Sequence, residues 1–185
     1  MHISTFLPFV FALGAIAELQ LVDFPHLLIP IKKNTPNTHY GTQTTAEVSN
    51  NVWTEVSFDV RSDVPASICR INFHINTNPT KNAPRSLSGD EPYQFLVNRL
   101  TSTIDKDRDT WNHSPEITNY VARVTLTQDG GVTVEDGWFT CPKGNVAQFV
   151  LTPVNNARTF KYTWFELDYP SELGGPHGIT LDMHT

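Results

Sequence analysis

Arg70, His74 and Arg123 are the side chains best suited to hydrogen-bond and polarise a ligand carbonyl, and they form the candidate catalytic set. His74 sits beside Arg70 and Asn72 on the polar face of a strand-like segment, where a merely solvated face is the competing reading. The aromatics Trp53, Trp111, Tyr162 and Trp164 supply flat apolar surface for a ligand, with Lys161 as a further polar tip. Between Phe160 and Tyr169 both faces of the segment are aromatic. Such a stripe is either a stacking wall for a flat ligand or is covered, in a sandwich centre or across a homodimer.

Other chemistries find no pattern. There is no G-x-S-x-G elbow for a nucleophile and no glycine loop to cradle a phosphate. The seven histidines form no H-x-H, H-x-x-x-H or H-E-x-x-H pair, so no metal site and no cofactor are expected. The segment from Asp105 to Glu116 places acids at positions 1, 3, 5 and 12 of a calcium-type loop. Thr110, however, stands where the turn needs glycine, and Lys106 and Arg108 offset the charge, so a salt-bridged loop is expected. Glu135 and Asp136 are neighbours and on a strand face opposite ways. With a net charge of −6 and 17% charged residues in 185, the chain has no basic footprint for nucleic acid.

These residues must be positioned by strands. Period-two alternation recurs at Val52–Val60, Ile68–Asn76 and Tyr120–Leu126, the last ended by the turn Asp129-Gly130-Gly131, and Tyr93–Leu100 is a further strand candidate with Leu96 and Leu100 opposite Phe95 and Val97. Phe24–Ile31, Tyr40–Val48, Phe139–Cys141, Val146–Thr152 and Thr159–Tyr169 continue the series, and no stretch keeps helical spacing. An all-β, antiparallel sandwich of jelly-roll or Greek-key type follows. Thr77–Pro92 and Ser102–Glu116 read as long, functional loops.

Residues 1–17 read as a signal peptide: Phe6–Ile16 is apolar and ends in Ala15-Ile16-Ala17. Residues 18–185 then form a single domain in the secretory lumen or outside the cell, with no membrane insertion and no apolar tail for a lipid anchor. In that compartment Cys69 and Cys141 are expected to form one disulfide, two buried thiols being the alternative. Asn112-His113-Ser114 is a glycosylation sequon followed by Pro115.

Phe24-Pro25-His26-Leu27-Leu28-Ile29-Pro30-Ile31 followed by Tyr40-Gly41-Thr42-Gln43 resembles the opening of a fungal family of secreted proteins. That family is named for the C-terminal domain of a ubiquitin-like-pathway binding protein, "But-two". Phe58-Asp59-Val60, Ser67-Ile68-Cys69 and Phe139-Thr140-Cys141-Pro142-Lys143-Gly144 continue its order of elements. The resemblance implies a β-sandwich with the Cys69–Cys141 bridge, and the chain departs from it in the Ser102–Glu116 loop and the aromatic C-terminal third. In size, leader, sequon and lack of a cofactor motif the chain is also similar to small fungal hetero-Diels–Alderases. That likeness implies a cofactor-free pericyclase acting on a small apolar substrate, such as terpenoid and tropolone or polyketide partners. The other expectation is a non-catalytic cell-surface or cell-wall protein.

Overall fold

The computed structural model describes residues 17–101 and 103–185. The expected leader lies outside the described residues except for its last position. Strands follow in chain order: β1 (Leu19–Asp23), β2 (Leu27–Lys32), β3 (Thr45–Ser49), β4 (Val52–Asp59), β5 (Ile68–His74) and β6 (Arg85–Gly89). Next come β7 (Tyr93–Leu100), β8 (Ile117–Leu126), β9 (Val132–Asp136), β10 (Trp138–Thr140), β11 (Val146–Pro153), β12 (Phe160–Phe165) and β13 (Gly178–His184). Their antiparallel pairing gives three sheets, ordered β1-β13-β5-β10, β2-β4-β11-β7-β8-β9 and β3-β12-β6. Among the described residues the helical content is one 3-10 turn, Ser171–Leu173.

Alternation explains how the sheets close. In β5 the side chains of Cys69, Ile71 and Phe73 are buried while Arg70, Asn72 and His74 are only partly covered, the pattern of a strand with one face inward. Phe73 packs edge-on against Phe95 of β7 at 5.4 Å and against Tyr162 and Trp164 of β12 at 5.9 and 5.2 Å between centroids. All three sheets therefore share one core, and each large apolar side chain enclosed there contributes about 1.5–3 kcal/mol. This is the expected all-β antiparallel sandwich.

The β8–β9 hairpin forms at the expected turn, where Gly130 holds φ +98°, a conformation open mainly to glycine. The register that sets Phe139 opposite Cys69 brings Cys141 within reach, and Cys69 and Cys141 are joined across 72 residues. Two segments differ from the sequence reading. Thr77–Pro92 is not all loop, because β6 forms within it as an edge strand on β12. The chain's last segment is β13, which lies between β1 and β5.

The loop before β8 folds onto the outer face of the six-stranded sheet. Ile104 and Trp111 join Ile29, Ile31, Leu100 and Val150 in a second apolar cluster, and the Ile104 N–H donates to Gln148 Oε1 at 3.0 Å. The acids of this loop are engaged locally. Asp105 accepts from the Asp107 N–H at 3.0 Å, Asp109 accepts from the Asp105 N–H at 2.7 Å, and Lys106 clasps Asp107 at 2.8 Å.

Candidate active site

At one end of the sandwich the segment leading into β2, the Thr42–Thr44 segment and the residues after β12 surround a cavity of about 540 Å³. That volume is in the range of small-molecule sites. Phe24, Pro25 and Leu28 give it apolar walls, and His26, Gln43, Glu166 and Asp168 give it polar ones. The walls are fixed by backbone bonds. The Gln43 N–H donates to the Leu28 carbonyl at 2.8 Å, the Leu28 N–H to Thr42 Oγ1 at 3.1 Å, and the Glu166 N–H to the Thr44 carbonyl at 3.0 Å.

Glu166 is the most unusual group in this cavity. It continues the face of β12 that carries Phe160, Tyr162 and Trp164, so its carboxyl follows an aromatic stripe into the interior. The Trp164 indole N–H and the Ile179 backbone N–H both donate to Glu166 Oε2, at 2.7 and 3.2 Å. Burial nevertheless pushes this carboxyl up to about 8, overriding the two bonds that favour its anion. At neutral pH it is chiefly a carboxylic acid. Since Oε2 accepts two N–H bonds, the proton belongs on Oε1. Oε1 is enclosed and has no hydrogen-bond partner among the described residues. The result is an enclosed oxygen without a partner on a side chain that lines the cavity.

Two neighbours hold that carboxyl in place. Gly178, at φ +124°, lies so close that any Cβ there would overlap the Glu166 carboxyl oxygens. Leu167 and His177 exchange backbone N–H···O bonds of 2.9 Å, which tie the end of β12 to the start of β13. The buried His177 ring accepts the Asn76 N–H on Nδ1 at 3.0 Å, and burial lowers its pKa, favouring the neutral ring.

The sequence candidates are distributed differently. Arg70 and His74 share the outer face of the β1-β13-β5-β10 sheet. Arg123 alternates with the buried Ala122 and Val124 and so lies on the outer face of the six-stranded sheet, 3.4 Å from Glu135. The three are not brought together. Tyr162 and Trp164, 0% and 1% exposed, are core residues, which corrects the expectation of a ligand-stacking wall. Their rings face Phe73 and Phe95, and only the Trp164 N–H touches the cavity system. Trp53 and Trp111 pack on each other at 4.6 Å over the second apolar cluster. Lys161 is exposed and 3.2 Å from Glu47. Asn112 is exposed, its Nδ2 donating to Asn37 at 2.8 Å. His26 faces Asp59 at 3.4 Å.

Sequence reasoning missed Glu166 and Gly178. An acid continuing the Phe160-Tyr162-Trp164 alternation was a visible signal for the first. The second is legible only once β13 is known to pass beneath that acid. It also missed Glu55, a fully buried acid of β4, because the alternation put it on a face that appeared open to solvent.

The disulfide is of the kind formed in the secretory pathway or outside the cell, and among the described residues no helix is long and apolar enough to cross a membrane. No curated protein matches the chain significantly. The model of the Ubiquitin 3 binding protein But2 C-terminal domain matches residues 23–167, a span that holds every cavity-lining residue except Asp168. The chain belongs to the But2 C-terminal domain family.

Proposed function

We propose that this chain binds a small, largely apolar molecule carrying a carbonyl or similar acceptor in the Glu166 cavity, and that it acts as a cofactor-free pericyclase there. The reading rests on one observation: an acid held neutral by burial, its O–H without an acceptor, beside a cavity of about 540 Å³. Oε1 is enclosed, so a carbonyl meets it only when the carboxyl turns toward the cavity; there it satisfies that donor, and its acceptance of the hydrogen bond withdraws electron density from the conjugated partner. The apolar walls of Phe24, Pro25 and Leu28 hold a second, hydrocarbon partner against it. Orientation of two apolar reactants, together with one preorganised donor, is what a hetero-Diels–Alder cycloaddition requires. A terpenoid polyene and a tropolone- or polyketide-derived partner have this chemistry. We place the reaction in the secretory lumen or outside the cell, after removal of residues 1–17.

Calorimetry with tropone and with cycloheptatriene, which lacks the carbonyl, tests the binding step. Tropone is expected to bind more tightly, with the preference abolished in Glu166→Leu and kept in Glu166→Gln, whose amide still donates. Equal affinity for the two probes in the wild-type protein overturns the reading. Incubation with α-humulene and a photochemically released quinone methide then tests turnover. A single enantiomer of the adduct is expected, and a racemic adduct at the background rate reduces the proposal to a binding protein.

A further inference from the structure

A second surface, which shares β13 with the Glu166 cavity but has Trp138 at its other end, has the composition of a ligand site. Alternation puts Arg70, Asn72 and His74 of β5 on the outer side of the sheet with Trp138 of β10 and Thr180, Asp182 and His184 of β13, Thr180 and Asp182 being buried beneath their neighbours. Trp138 is 49% exposed despite its size. It is nevertheless held: its ring lies 4.9 Å from that of His184, and the Arg70 guanidinium stands 5.1 Å from the indole centroid. Beside it runs a connected polar row. Asp182 accepts from Asn72 at 3.0 Å and from the Thr180 hydroxyl at 3.0 Å, and Thr180 Oγ1 is 3.2 Å from His74 Nε2. Arg70 Nε and both ring nitrogens of His184 are enclosed and have no partner among the described residues. The hydrogen-bonding capacity of this face is thus not used up within the fold, and a ligand that draws these groups outward relieves an unmet bond.

We propose that this face binds a neutral oligosaccharide, with Trp138 as the stacking platform and Arg70, Asn72 and His74 as the groups that pair with its hydroxyls. A pyranose presents a C–H face that packs on an indole and a rim of adjacent hydroxyls suited to amide, imidazole and guanidinium partners. Formal charge on the face is balanced, one cation in Arg70 against one anion in Asp182, which disfavours phosphorylated or sulfated ligands. From Arg70 to His74 the row runs about 13 Å along the strand, so more than one sugar ring is engaged.

Calorimetry and affinity electrophoresis with laminarihexaose, chitohexaose and mannohexaose provide the test. At least one hexaose should bind. Trp138→Ala should weaken it about tenfold, the equivalent of about 1.4 kcal/mol, with the unfolding midpoint unchanged and Trp138→Phe restoring part of the loss. Glu166→Leu should leave this binding intact, so failure here and failure at the cavity are separable. Absence of binding to all three sugars, or binding indifferent to Trp138→Ala, overturns the proposal. So does a wild-type dimer in sedimentation that Trp138→Ala dissociates, because the face is then a self-interface.

Discussion

Burial pushes two glutamates of this fold, Glu55 and Glu166, well above the usual carboxylate range. Glu166 has a cavity before it. If its O–H is the ligand's donor, affinity for a neutral carbonyl ligand should fall as pH rises through about 8, and calorimetry on Glu166→Gln should show no such fall. Glu55 is instead fully buried in β4 and faces Asp109 of the loop before β8. Burial first, then the neighbouring Asp109 carboxylate, pushes it up to about 9, and burial raises Asp109 as well. The folded pKa of Glu55 thus exceeds its unfolded value, so its contribution to stability is complete below about pH 4.5 and is lost as pH rises toward about 9. Urea unfolding should show stability declining across that window, with a shallower decline in Glu55→Gln. His74 and His177 act in the opposite sense: burial lowers both, so stability also falls as pH drops below about 6.5. None of this was legible from residue types alone. A carboxylate on a strand reads as solvent-facing until the element that covers it is known, and here the covers are the loop for Glu55 and β13 for Glu166.

At the level of elements, β12 and β13 act as one clamp. Trp164, at the end of β12, donates to Glu166, and β13 presents Gly178 and the Ile179 N–H to the same carboxyl. Gly178→Ala places a methyl group on that carboxyl and on a backbone at φ +124°, so a loss of about 1–3 kcal/mol is expected, together with tropone affinity. Thermal unfolding and calorimetry check both. The period-two signal of β13 is present in Ile179, Leu181 and Met183, but three apolar positions in so short a run do not by themselves distinguish a strand. Edge strand β6 was hidden for a different reason: Arg85-Ser86-Leu87-Ser88-Gly89 has one large apolar residue, so its pairing with β12 rather than its own pattern makes it a strand. By contrast β4, β5 and β8 alternate over long spans, and their inner faces could be read directly from the sequence.

For the whole molecule, the sandwich and its disulfide were the most legible features, because many alternating segments and an even pair of cysteines far apart in sequence admit few other arrangements. The bridge closes a separation of 72 residues, worth about 4 kcal/mol on the chain-entropy model. Denaturant unfolding of Cys69→Ala/Cys141→Ala should lose an amount of that order. Where the ligands go was far less legible, since both proposed surfaces are assembled from segments distant in sequence. Phe24–Leu28 meets Glu166 at one end, and β5, β10 and β13 supply the open face. Only the tertiary fold defines these juxtapositions.

The most direct test follows the Trp164 indole N–H resonance by NMR against pH, since that proton is donated to Glu166 at 2.7 Å. A titration midpoint near 8 is expected, moving upward when tropone is bound, because the ligand favours the protonated acid. A midpoint in the ordinary carboxylate range, or one that tropone leaves unmoved, contradicts a neutral Glu166 donating to a ligand in this cavity.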